Sequence, residues 1–165
     1  MKCKQTLAIT SHRVMSSDLN EHETVYGGKL LEMLDGSASI SASRLCRTQT
    51  ATAAVDQFNF IAPFQLNDSF CIESYVSGVG KRSLEVFAKI VGEHLTTGKR
   101  FLGATAFLTF VVLKHDVKLP EIVPNTPEEI MICQGYSKRQ IFRKQQLKEK
   151  AFDQKISTLP RWAEK

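Results

Sequence analysis

The chain has 165 residues, 42% hydrophobic and 24% charged, the make-up of one folded domain that can bury about two thirds of its unfolded surface without help from disulfides or a metal. The longest apolar-rich run, residues 101–113, falls short of the ~20 residues of a membrane-spanning helix and is interrupted by Thr105 and Thr109, and the basic start leads into Ser11, His12 and Arg13 instead of an export signal's apolar core. The net charge of +5 is uneven: residues 138–150 carry six basic side chains against Glu149 alone, whereas residues 1–127 are close to neutral.

In chain order, residues 4–14 predict a first strand, and the polar run 16–25, with Ser16-Ser17-Asp18 and Asn20, predicts a loop. Gly27-Gly28 then marks the start of a helix whose apolar positions Leu31, Leu34, Ala38, Ala42 and Leu45 recur at three- and four-residue steps and so share one face. Between Gly36 and Ser43 nearly every side chain is small, which lets that face approach a sheet closely. Residues 50–61, 69–78, 83–92 and 100–113 predict four more strands, joined by turn-sized segments that favour antiparallel neighbours. At ~3.3 Å per residue the last of them could reach ~40 Å, a length suited to a sheet shared between subunits. The class is α+β: one long helix against about five antiparallel strands.

The composition changes after Leu113. Leu119-Pro120, Val123-Pro124 and Thr126-Pro127 predict an extended linker over 116–127, separating a domain over 1–115 from a basic helical tail over 128–165. Pro127 with Glu128-Glu129 suits a helix start, and Gly135 interrupts the helix that follows. Ile130, Met131, Ile132, Ile141, Phe142 and Leu147 need burial, so the tail is expected to pack on the domain or on a neighbouring subunit. Because the candidate functional residues all precede Leu113, the domain is expected to fold without it. The basic run lacks the interleaved aromatics of a nucleic-acid binder, and no nucleic-acid partner is expected. Cysteines 3, 46, 71 and 133 form no CxxC pair and no His completes a zinc set, which predicts reduced thiols in a cytoplasm and no metal.

Asp35 is the residue that points to chemistry. Its helical neighbours Leu31, Ala38 and Ala42 put it on the apolar stripe with no basic partner on that face. A buried backbone donor or an unseen arginine would satisfy it, but a carboxylate withdrawn from water is also a stronger proton acceptor, as a general base requires. Upstream, Gly27 and Gly28 open the same helix, where unpaired N–H groups could meet a developing oxyanion. Asn20 could orient a water or a carbonyl, or simply make a turn. His22 and His94 lie in a loop and a turn, where a solvated role is expected.

The stretch Asn20-Glu-His-Glu-Thr-Val-Tyr-Gly-Gly-Lys-Leu-Leu-Glu-Met-Leu-Asp35 resembles the N-x5-(F/Y/H)-G-G-x6-D signature of hotdog-fold acyl-CoA thioesterases of the YciA and cytosolic acyl-CoA hydrolase type. Residues 39–47, 55–63 and 80–86 resemble that family's helix end, first long strand and G-(R/K)-(T/S)-S-x-x-V hairpin, so the likeness runs over about residues 5–113. His22 and Glu23 depart from the loop pattern of many relatives. The resemblance implies a long helix wrapped by a curved sheet, and hydrolysis of acyl-CoA to fatty acid and coenzyme A. It further implies Asp35 as general base or nucleophile, with Asn20 close to it across a dimer interface. Gly27 and Gly28 would then form the oxyanion hole, while Gly80, Lys81, Arg82 and Ser83 would hold the coenzyme A phosphates. No cofactor is implied, since coenzyme A belongs to the substrate, and the expected assembly is a homodimer or a trimer of dimers. The rival reading is a non-catalytic acyl-CoA-binding regulator or scaffold on the same fold.

Overall fold

The computed structural model describes residues 1–159 and 162. Strands β1 (Ala8–Arg13), β2 (Thr50–Phe60), β3 (Asp68–Val79), β4 (Ser83–His94) and β5 (Lys99–Val112) form one antiparallel sheet in the order β1-β3-β4-β5-β2. Helix α1 (Gly27–Cys46) lies against one face, and α2 (Pro127–Gln134) and α3 (Tyr136–Glu149) lie against the other. This is the α+β hotdog arrangement. Both faces of β4 are therefore covered, and Leu84, Glu85, Val86, Phe87 and Ala88 are buried in succession, without the in–out alternation of a one-sided sheet.

The core forms where α1 meets the sheet. Leu34, Ala38 and Ala42 are 0% exposed and pack with Ile72, Val76, Leu84, Val86, Ile90, Leu108 and Phe110. The small residues of α1 do allow a close approach to β3: Ser41 Oγ donates to the Ser74 carbonyl at 2.9 Å and lies 2.8 Å from Ser74 Oγ, while Ser74 Oγ donates to the Ser37 carbonyl at 3.2 Å. These bonds satisfy hydroxyls that have no water.

Three expectations need correction. The first strand is shorter than residues 4–14, because Cys3–Gln5 close a 3-10 turn in which Thr6 Oγ1 donates to the Cys3 carbonyl at 2.7 Å. The long β5, expected in a sheet shared between subunits, is an interior strand whose two edges are taken by β4 and β2, and the sheet's free edges belong to β1 and β2. The segment expected as a linker is pinned down. The Val123 N–H donates to the Met1 carbonyl at 2.9 Å, the Cys3 N–H donates to the Val123 carbonyl at 3.2 Å, and Val117, Leu119 and Ile122 pack against the core.

The tail lies on the sheet. Thr126 caps α2 through a capping box with Glu129, Gly135 separates α2 from α3, and Tyr136 lies flat over Gly78, where a Cβ would come within 2.2 Å of its ring. Beneath α3, the fully buried Glu85 accepts two bonds from Arg139, at 2.8 and 3.0 Å, one from Arg143 at 3.0 Å and one from Ser77 Oγ at 2.7 Å. Arg143 also donates to Asp56 at 3.0 Å, and Arg139 stacks on Phe107 with its guanidinium carbon 4.0 Å from the ring centroid. Two of the tail's basic residues thus neutralise acids on the sheet's outer face. Ile141, Phe142 and Leu147 remain exposed.

Candidate active site

The loop before α1 is stitched to the β2–β3 turn, with the Val25 N–H donating to the Phe64 carbonyl at 2.9 Å and Thr24 bridged to Gln65. It is also tied to its own start. The Tyr26 N–H donates to the Asp18 carbonyl at 2.8 Å, and Asp18 Oδ2 accepts from the Met15 N–H at 2.8 Å and contacts His12 Nε2 at 2.7 Å. Burial alone would raise the Asp18 carboxyl, but the His12 and Met15 bonds outweigh it and hold the group below its usual range.

Asn20 sits in this frame. Its Oδ1 accepts from the His22 N–H at 2.9 Å and from the Thr24 N–H and hydroxyl at 3.2 Å each. The two backbone donors require an oxygen at that position, so the amide orientation is fixed and Nδ2 is left as a donor without an acceptor among the described residues. Asn20 lines a cleft of about 320 Å³ together with Gly27, Leu30, Phe60 and Phe64. The N–H groups of Gly27 and Gly28 likewise donate to nothing among the described residues, and the Tyr26 side chain does not cap the helix. A Cβ at Gly27 would lie 3.1 Å from the Phe60 ring and one at Gly28 2.5 Å from the Tyr26 ring, so the two glycines let both rings lie close over the helix start.

Asp35 lies farther along α1. It is only partly buried, because the core stripe runs through Leu30, Leu34, Ser37, Ala38 and Ser41, with Leu31 exposed. Asp35 follows Leu34 and is therefore rotated about 100° around the helix, onto the flank facing β2. This corrects the expectation of a core-facing carboxylate. Its partner is neither an arginine nor a backbone group: Thr52 Oγ1 donates to Asp35 Oδ1 at 2.8 Å, and Asp35 makes no ion pair among the described residues. Thr52 escapes a reading of spacing alone because it is one of several threonines and alanines at the start of β2. The signal that finds it is register, since Thr52 pairs with the inward-facing Phe110 and so points toward α1.

The β3–β4 hairpin lies at the same end of the sheet. Thr52 and Leu84 both pair with Phe110, which separates Thr52 from the hairpin by two strand spacings, about 10 Å. The Gly80 N–H donates to the Ser83 carbonyl at 2.7 Å, closing the turn; Lys81 and Arg82 project into solvent without ion pairs, and their N–H groups have no acceptors among the described residues. Asn20 and Gly27 are thus brought together, as are Asp35, Thr52 and the hairpin end of the sheet. The two sets are not joined within one protomer, because eight residues of helix put Gly27 and Asp35 about 12 Å apart along the axis. His22 is exposed, and His94 is held by the buried Asp68 at 2.7 Å. No group of three or more His, Cys, Asp or Glu side chains converges among the described residues, and no described helix is long and apolar enough to cross a membrane.

A five-stranded antiparallel sheet against one long helix, with a lone carboxylate on the helix flank and free N–H groups at its start, defines a thioesterase-type hotdog protomer. Residues 22–99 match the thioesterase superfamily. The chain is 49% identical over 133 residues to the uncharacterized acyl-CoA thioester hydrolase YkhA of Bacillus subtilis, a match covering 79% of this chain and 77% of that one. The crystal structure of an acyl-CoA hydrolase from Bacillus cereus superposes with a TM-score of 0.90 at 35% identity over 96% of this chain and 98% of that chain. The acyl-CoA hydrolase of Staphylococcus aureus in complex with butyryl coenzyme A, coenzyme A and coenzyme A disulfide superposes with a TM-score of 0.85 at 27% identity, over 91% and 93% of the two chains. Structures of that hydrolase also exist with alanine in place of an asparagine, of an aspartate 15 positions later, and of a threonine 17 positions after the aspartate. The chain belongs to the acyl-CoA thioester hydrolases of the thioesterase superfamily, and it is an enzyme.

Proposed function

We propose that this enzyme hydrolyses acyl-CoA to the free fatty acid and coenzyme A in a site shared by two protomers. The observation that carries the assignment is the Asp35 carboxylate, held by the Thr52 hydroxyl at 2.8 Å and free of any cation among the described residues. That bond fixes the orientation of the carboxylate and leaves its second oxygen open to a water or a carbonyl carbon. The spacings from Asn20 to Asp35 and from Asp35 to Thr52 equal those between the three residues replaced in the Staphylococcus aureus hydrolase, which supports treating the three as one unit.

In the reaction, Asp35 takes a proton from water as the water adds to the thioester carbonyl, or adds to that carbonyl itself to form an anhydride that water then opens. The oxyanion is met by the N–H groups of Gly27 and Gly28, with Asn20 Nδ2 orienting the carbonyl or the water. The thiolate of coenzyme A then leaves. Because Gly27 and Asp35 of one chain lie about 12 Å apart along the helix, Asn20 and the glycines act with Asp35 of the other protomer. Of the sheet's two edge strands, β1 and β2, the longer β2 carries Thr52 beside Asp35, which supports a dimer formed along that strand. Gly80, Lys81, Arg82 and Ser83 supply charge and backbone donors to the coenzyme A phosphates. The exposed Ile141, Phe142 and Leu147 of α3 support further assembly into a trimer of dimers. The four free cysteines support a reducing, cytoplasmic setting.

Asp35→Asn tests the reading, since it removes the proton acceptor and almost no volume. The kcat for acyl-CoA should fall by about 10²–10⁴-fold while coenzyme A binding persists. Inactive Asn20→Ala and Asp35→Asn protomers, mixed and allowed to exchange, should regain activity. Full turnover in Asp35→Asn would refute the role of the carboxylate, and verified heterodimers without activity would refute the shared site. A regulator or scaffold without catalysis would instead bind acyl-CoA and leave it intact.

A further inference from the structure

Cys3 and Cys133 come from opposite ends of the chain, 130 positions apart, yet their sulfur atoms lie 3.7 Å from one another in hydrogen-bond contact. Neither has a part in thioester hydrolysis. Cys3 is fully buried in a 3-10 turn whose carbonyl and N–H are both engaged, and Tyr75, Phe87, Ile122 and Ile132 enclose the pair. Cys133 is only partly buried and lines a cleft of about 400 Å³ with Ser77, Gly78 and Tyr136, the side from which a small molecule can approach it, whereas Cys3 is 0% exposed and does not line the cleft. The contact between the two thiols holds the Cys133 thiol below its usual range, against burial and the nearby Glu129 and with help from Arg139; the same contact, with burial, pushes Cys3 up.

We infer that Cys133 and Cys3 are the attacking and resolving cysteines of a reversible disulfide site that takes small-molecule disulfides and locks the C-terminal helices to the N-terminus. The Cys133 thiolate attacks one sulfur of the oxidant RSSR, forming a mixed disulfide and releasing RS⁻, which takes up the proton lost by Cys133. Cys3 then gives up its proton and attacks the Cys133 sulfur, forming the intrachain bond and releasing a second RSH. Two thiols are oxidised and one small disulfide is reduced to two thiols. Closure needs the sulfurs to move from 3.7 Å to about 2.05 Å. The bond then fastens α2, and with it Arg139 over Glu85, to the turn at Cys3.

The probe is oxidised glutathione, added to the reduced full-length protein before blocking with N-ethylmaleimide and mapping of unreduced peptides by mass spectrometry. Two of the four thiols should disappear into a single Cys3–Cys133 crosslink, dithiothreitol should restore both, and the crosslinked protein should melt about 5–15 °C higher. In Cys3→Ser, glutathione should remain on Cys133; in Cys133→Ser, residue 3 should stay a free thiol. Persistence of the glutathione adduct on Cys133 in the unaltered protein, a crosslink through Cys71, or an unchanged melting temperature after Cys3–Cys133 bond formation would overturn the inference. The mapping on the unaltered chain stands even if either variant fails to fold.

Discussion

Replacing Arg139 and Arg143 together by alanine would leave Ser77 Oγ as the remaining donor to a carboxylate that is 0% exposed. Three charge-assisted bonds to Glu85 are lost, two from Arg139 and one from Arg143, and with them the contact of Arg139 with the Phe107 ring. A buried charge stripped of its partner costs about 3–5 kcal/mol, and the lost cation–π contact adds about 1 kcal/mol. In a protein of this size that corresponds to a fall in Tm of about 8–24 °C. Urea denaturation followed by circular dichroism, with thermal melts alongside, measures both quantities. Because the penalty arises from the stranded charge, adding Glu85→Leu to the double variant should recover most of the lost stability. A double variant within about 1 kcal/mol of the unaltered protein would refute the reasoning, for that is the range of an exposed ion pair. An equal loss in the Glu85→Leu background would refute it too.

Truncation after Pro124 should be more damaging still, since it strands Glu85 and also uncovers Tyr75, Phe87 and Phe107; a truncated chain as stable as the whole would show that the tail adds nothing to the domain. Thr52→Val keeps volume but removes the donor to Asp35, and should lower kcat about 10-fold or more with little change in KM, read from steady-state kinetics. Alanine at Lys81 and Arg82 should raise KM for coenzyme A thioesters more than for a short thioester lacking the nucleotide; an equal rise for both would point to a general defect. Asp18 titrates below its usual range when folded, so the unfolded chain takes up the proton more readily. Its contribution to stability is therefore complete above the ordinary carboxylate range and is lost as pH falls through its lowered folded value, which acid melts of Asp18→Asn against the unaltered protein should reveal as a flatter dependence below about pH 4.

The candidate site was legible where it depends on local spacing. Asn20, Gly27, Gly28 and Asp35 stand at fixed intervals around one helix start, and a helix start exposes N–H groups wherever it occurs. Thr52 was not legible, because its partner lies on another element and only strand register turns its hydroxyl toward α1. The orientation of Asp35 was misjudged for a related reason. Periodicity defines a stripe but not its centre, and the centre is set by what the sheet presents: here Ser74 draws Ser37 and Ser41 inward and leaves Leu31 at the rim.

By itself the sequence determined the element order and the antiparallel class, since both rest on short-range patterns: the three-and-four spacing of α1, the β-rich runs, and joints too short for a crossover. The tertiary structure decided which strands keep free edges, β1 and β2, and which of the tail's charges are paired. Glu85 looks like an ordinary polar residue on a strand, and Arg139 and Arg143 look like members of a solvated basic helix, until packing puts them in contact at 2.8–3.0 Å across more than fifty positions of sequence. A charge's partner is fixed by distance in space and by the exclusion of water, and neither quantity exists in the chain until the sheet's outer face has been covered.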